Sequence, residues 1–159
     1  MNTAKTWQII SSGSSDTYAI GEQLGKTCEG GEVFVLSSDL GGGKTTLIKG
    51  LAAGLGSSAI VNSPTFMVER VYPCRDGISL HHFDFYRLQE GGVVALELAE
   101  VLEDPKAVVA VEWSDIVLDR LPLEHVLLRL ERQVAHENAR KITIQFPDKF
   151  IYLTPKDQL

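Results

Sequence analysis

The chain has 159 residues, 44% apolar and 23% charged, which suits one globular domain over residues 1–159 and excludes a disordered chain. Fifteen Lys+Arg against 21 Asp+Glu give a net charge of −6 with no basic run, which argues against tight, unaided nucleic-acid binding. Two cysteines, Cys28 and Cys74, without metal-ligand spacing, and the lack of a signal-peptide core or membrane-length apolar run, lead to the expectation of a soluble, cytoplasmic protein with no membrane partner.

In chain order, residues 6–10 (Thr-Trp-Gln-Ile-Ile) read as a short strand. Ser14, Ser15 and Asp16 offer capping side chains before a helix whose apolar stripe is Thr17, Ile20, Leu24 and Cys28, ended by Gly30-Gly31. The run Val-Phe-Val-Leu at 33–36 is short and wholly apolar, as a strand buried on both faces requires. A glycine-rich loop follows, then a helix marked by Leu47, Ile48, Leu51 and Leu55. Gly50 and Gly54 weaken that helix's own propensity, so packing must hold it.

Residues 66–72 and 78–83 flank Asp76-Gly77 and read as a hairpin. Val94, Leu98, Val101 and Leu102 predict another helix, and Ala-Val-Val-Ala-Val at 107–111 a second buried strand. Residues 126–130 and 141–146 predict an antiparallel pair. Together these elements predict a single-domain α/β fold, a mixed sheet with flanking helices and antiparallel strands at its margin, which the loop described next makes P-loop NTPase-like.

The chemistry concentrates at Ser38-Asp39-Leu40-Gly41-Gly42-Gly43-Lys44-Thr45-Thr46. The pattern G-x-x-x-x-G-K-[ST] is met at every fixed position but the first, where Ser38 replaces glycine. Gly41, Gly42 and Gly43 let successive backbone N–H groups turn toward phosphate oxygens, and the helix start adds its partial positive charge. Lys44 suits the β- and γ-phosphates, the Thr45 hydroxyl a Mg²⁺ ion, and Asp39, Leu40 and Thr46 complete the loop. The alternative is a flexible glycine loop before a helix that happens to begin Lys-Thr-Thr; it leaves the buried strand before the loop without a reason. If the Ser38 position needs positive φ, serine adds strain of about 1 kcal/mol; otherwise nothing is lost.

Hydrolysis also needs an acid. Glu112 closes the apolar run 107–111, where a P-loop sheet directs a carboxylate at Mg²⁺; the alternative is a strand-end glutamate facing solvent. Asp84 follows a β-rich segment and reads equally as a metal- or γ-phosphate-sensing acid and as a helix N-cap. Thr65 is a candidate switch hydroxyl or a plain turn residue, and Arg87 a phosphate contact or a surface ion pair. His81 and His82 are strand neighbours pointing to opposite sides, which argues against a shared zinc ion. With no N-K-x-D run to read guanine, the expected base is adenine.

Ser38 to Thr46, then Ser63-Pro64-Thr65-Phe66, His82-Phe83-Asp84-Phe85-Tyr86-Arg87-Leu88 and Val111-Glu112-Trp113 resemble the TsaE (YjeE) family in order and spacing. The likeness runs from about Ser14 to Arg140. It implies a small bacterial ATPase needed to make N6-threonylcarbamoyladenosine (t6A) in tRNA. Such an ATPase acts with a TsaB–TsaD heterodimer whose TsaD subunit transfers the threonylcarbamoyl group, while ATP hydrolysis resets the complex. It further implies ATP and Mg²⁺ as ligands, Thr45 and Glu112 as metal-holding residues and Asp84 as a residue needed for hydrolysis. Ser14 and His136 fall where the family approaches the nucleotide.

Two departures accompany Ser38: Gly42 stands where alanine is common, and the last hairpin reads His136-Glu137 rather than Gly-Arg. The residues alone also admit a small-molecule P-loop kinase, although residues 53–107 hold no arginine cluster for a lid, and a nucleotide-gated binding module with little turnover. That missing cluster and the acidic charge lead to the expectation that hydrolysis is weak alone and that tRNA is held mainly by partners.

Overall fold

Alternation along the two apolar runs decides the architecture. In the computed structural model, which describes residues 5–38, 41–62, 68–85, 92–112 and 114–156, they are β2 (Val33–Ser38) and β5 (Ala107–Glu112), paired in parallel. Every residue of β5 is buried, as a strand covered on both faces demands. Phe34, Leu36, Val108 and Ala110 point to one face, and Val33, Val35, Val109 and Val111 to the other, so two separate apolar cores form.

The remaining strands are β1 (Lys5–Ser11), β3 (Glu69–Pro73), β4 (Ser79–Asp84), β6 (Val126–Gln133) and β7 (His136–Phe146). Sheet order is β1-β7-β6-β2-β5-β4-β3. β4, β5, β2 and β6 are mutually parallel; β3 runs antiparallel to β4, β7 to β6, and β1 to β7. The expected mixed sheet with an antiparallel margin is observed, with one refinement. β6 also pairs in parallel with β2, which carries the terminal hairpin into the middle of the sheet.

Helices α1 (Ser14–Thr27) and α2 (Lys44–Gly54) cover the Phe34 face, and α3 (Gly92–Leu102) covers the other with the 3₁₀ segment Ser114–Arg120. Among the described residues no helix is long and apolar enough to cross a membrane. The helix start differs from the expected one. Gly13 is the N-cap of α1 and no side chain caps it. Instead the Asp16 carboxylate reaches back to accept from the Ser12 hydroxyl and backbone N–H.

The glycines of α2 are explained by a close crossing. A Cβ on Gly50 would lie 2.0 Å from the Tyr18 carbonyl oxygen, and one on Gly54 2.1 Å from that of Glu22. The two backbones touch, and only glycine permits it. The far ends of both helices share one clamp. Arg75, in the 3₁₀ turn Arg75–Gly77 between β3 and β4, donates to the carbonyls of Gly54 (2.6 Å), Gly25 (3.1 Å) and Cys28 (2.7 Å). Asp76 (φ 55°) and Gly77 (φ 75°) adopt the left-handed conformation expected of that turn.

Candidate functional site

The glycine loop leaves the carboxyl end of β2 and enters α2, as the sequence requires of a P-loop. Gly41 (φ 73°) and Gly43 (φ 100°) are left-handed, and Gly43 is the α2 N-cap. Among the described residues Asp76 is the only non-glycine with positive φ, so Ser38 carries no such strain. Lys44 is buried at the first helical position, its Nζ donating to the Ser38 carbonyl at 3.3 Å. The loop thus holds its cation against its own entry strand. Gly42 is buried, Thr45 and Thr46 are half-buried in the first turn of α2, and Asp39, Leu40, Thr65 and Arg87 lie outside the described residues.

Strand register brings the two acids together. Leu36 of β2 stands opposite Glu112, and Glu112 opposite Asp84 of β4. Alternation puts Glu112 on the side of Val108 and Ala110, and Asp84 on the side of Leu80 and His82, the face covered by α1 and α2. Glu112 does not face solvent: it is 2% exposed, and its Oε2 lies 3.0 Å from His82 Nε2. Asp84 ends a strand; α3 begins only at Gly92. His81 turns the other way, its Nδ1 2.7 Å from Glu69 Oε1.

A cleft of about 510 Å³ opens beside the loop. Its walls are the turn into α1 (Ser12 to Thr17), the loop and helix start (Gly41, Gly43, Thr46) and the terminal hairpin (Asn138, Arg140). Ser14 lines it. His136 does not; it is exposed at the head of β7, paired with Gln133. The Ser12 hydroxyl, with the Ser12 backbone N–H, holds the Asp16 carboxyl on this wall below the usual aspartate range.

Arg132 and Arg140 were not anticipated. They are directly paired across β6 and β7, and both guanidinium groups reach the Gly41 carbonyl, at 3.4 and 3.5 Å. The signal was available in the alternation: Leu128 and Leu130 lead by twos to Arg132, and Ile144 and Ile142 lead back to Arg140, all on the α2 side. The hairpin therefore supplies cations at the loop from its strands, although its tip lacks the arginine.

A mixed sheet whose central parallel strand runs through a glycine loop into a helix, with acids at the ends of the next strands, defines a P-loop NTPase fold. Residues 11–142 match the family model described as threonylcarbamoyl adenosine biosynthesis protein TsaE, and the chain belongs to that family. Relatives described as tRNA threonylcarbamoyladenosine biosynthesis protein TsaE include one from Streptomyces coelicolor, 38% identical over 79% of this chain and 86% of the relative. Another, from Bacillus subtilis, is 36% identical over 86% of this chain and 82% of its own. The crystal structure of Bacillus subtilis YdiB superimposes with a TM-score of 0.79 at 30% identity, covering 96% of this chain and 94% of that one.

Proposed function

We propose that this chain is the accessory ATPase of t6A formation in tRNA, binding ATP-Mg²⁺ and hydrolysing it to drive turnover of a TsaB–TsaD complex. The observation that carries the reading is the register placing buried Glu112 beside the strand that feeds the Gly41-Gly42-Gly43-Lys44 loop. A carboxylate this dry is costly unless its charge is balanced, and beside the His82 ring at 3.0 Å a cation would do so. Mg²⁺ needs only one or two protein oxygens beside phosphate and water, so the Thr45 hydroxyl and Glu112 suit it. When bound, the ion neutralises charge on the β- and γ-phosphate oxygens.

The chain's own groups do the rest. Backbone N–H groups of the loop and of the α2 start receive the phosphates, with Lys44 as the moving cation. Arg132 and Arg140 add charge where Gly41 meets them. Asp84, beside Glu112, orders the attacking water. Ser14 approaches the nucleotide from the cleft wall, and adenine is the preferred base. Thr65 is the switch residue that offers its hydroxyl to Mg²⁺.

Turnover alone is expected to be slow. The cleft is open, with Ser12, Ser14, Ser15, Asp16 and Asn138 all exposed, so water is not excluded until a partner covers it. The net charge of −6 leaves the tRNA to those partners.

The test is phosphate release from ATP-Mg²⁺ by the purified chain, alone and with its cognate TsaB–TsaD pair. Slow release that the pair accelerates, abolished in Glu112→Gln, is the expected result, with ATP binding lost in Lys44→Ala. Release indifferent to the pair would detach the chain from tRNA modification and favour a small-molecule kinase. Tight binding with no release under either condition would favour a nucleotide-gated module.

A further inference from the structure

The geometry points to His82 as a positioning residue that fixes which oxygen of Glu112 is left for the metal. This rests on the reading above, that Glu112 helps hold Mg²⁺. His82 and Glu112 sit on adjacent parallel strands, β4 and β5, with His82 opposite Ala110, two residue pairs short of the strand ends. Both side chains are out of solvent, at 0% and 3% exposure, and Nε2 is 3.0 Å from Oε2.

A carboxylate oxygen only accepts, so the hydrogen-bond network assigns the proton to Nε2. The other ring nitrogen, Nδ1, is buried and has no partner among the described residues. In the Nε2–H form that nitrogen is a bare lone pair, and no buried donor is left unmatched.

The consequence lies in the carboxylate. Held through Oε2, Glu112 cannot swing its two oxygens interchangeably, and Oε1 becomes the oxygen free of His82. Partners of this kind behind a metal ligand fix its orientation, and their loss costs about 10–100-fold in metal affinity or activity. His82 never touches nucleotide or metal; it acts through Glu112. Neighbouring His81, bonded to Glu69 on the margin of the sheet, has no share in this.

The experiment compares His82→Leu with His82→Gln in the full chain, Gln keeping an N–H donor at similar reach. Mg²⁺ is titrated against ATP binding and against phosphate release, with ADP binding in EDTA as the metal-free reference. His82→Leu is expected to raise the half-saturating Mg²⁺ about 10-fold or more, His82→Gln to recover most of that, and ADP affinity in EDTA to stay unchanged in both. Wild-type Mg²⁺ dependence in His82→Leu, or no recovery in His82→Gln, would overturn the assignment. Nitrogen NMR of ¹⁵N-histidine-labelled wild type keeps the question open to refutation even if the leucine variant does not fold. The ring must show the Nε2–H tautomer, and the Nδ1–H form would sink the proposal. Glu112→Gln separates the two levels. If it retains full hydrolysis, the metal-site reading fails; if it is inactive while His82→Leu is normal, only the positioning role fails.

Discussion

Arg75 shows how much one side chain can hold when its partners are backbone. Among the described residues its guanidinium receives no carboxylate closer than Asp76 at 3.9 Å, yet it occupies the carbonyls that end both α1 and α2. Helix C-termini leave such carbonyls without partners, and hydrogen bonds from a charged donor contribute about 1.5–3 kcal/mol each before entropy is counted. Arg75→Ala is therefore expected to lower unfolding stability by about 2–4 kcal/mol, read from urea denaturation. Arg75→Lys should recover only part, because an ammonium cannot fork to several carbonyls at once. A loss in Arg75→Ala indistinguishable from zero would show that water serves those carbonyls equally well. The clamp was illegible in the sequence, since its partners lie 21 to 50 residues away. Lys44 and its glycines were legible because their chemistry is contiguous. Glu112 stood out because an acid closing a five-residue apolar run is conspicuous. Arg132 and Arg140 were missed because a pair of arginines eight positions apart means nothing until the hairpin register is known.

Among the elements, the crossing of α1 and α2 sets two effects of opposite sign against each other. Replacing a mid-helix glycine by alanine favours an isolated helix by about 1 kcal/mol. At Gly50, however, the new methyl would fall 2.0 Å from a backbone oxygen of α1, which no rotamer change can relieve. Overpacking of this kind costs about 1–3 kcal/mol or more, so Gly50→Ala is expected to be destabilised by about 2 kcal/mol net. The midpoint of urea unfolding decides it, and a variant as stable as the parent would mean that the helices part easily. β1, β2, β4 and β5 were legible to within a residue or two because alternation and apolar runs are local signals. However, β6 runs on to Gln133 and β7 begins already at His136, past the apolar stretches 126–130 and 141–146 that marked them. Two further things about the elements were not legible. The start of α1 rests on Gly13 and a backward-reaching Asp16 rather than on a forward cap. The place of β6 beside β2 follows from the whole sheet, which no local pattern encodes.

Across the whole molecule, a buried acid adds a polar tie to the apolar one that Phe150 and Leu153 give the last described segment. Glu32, fully buried just before β2, accepts from the backbone N–H groups of Glu29 and Gly30 and from the Tyr152 hydroxyl at 2.6 Å. Tyr152 belongs to the 3₁₀ segment Asp148–Leu153, so this bond closes the chain end onto α1 and β2. Burial, and then the hydrogen bond to Glu32, raise the Tyr152 hydroxyl above its ordinary value of 10.0. The folded protein therefore keeps a proton that the unfolded chain releases above pH 10, the folded state binds more protons there, and stability falls as pH rises. Burial pushes Cys28 upward in the same sense, so the alkaline limb of the wild type has more than one source. Tyr152→Phe isolates this one. Below the unfolded tyrosine value the variant should be less stable by about 1–2 kcal/mol, the worth of a hydrogen bond to a charged acceptor. Above it the wild type loses what the variant never had, so the gap between them should narrow with each step in pH. Urea denaturation of both proteins from neutral to alkaline pH measures that gap directly. A gap that stays constant past pH 10, or widens, would mean the Tyr152 proton is not what fastens the chain end to Glu32.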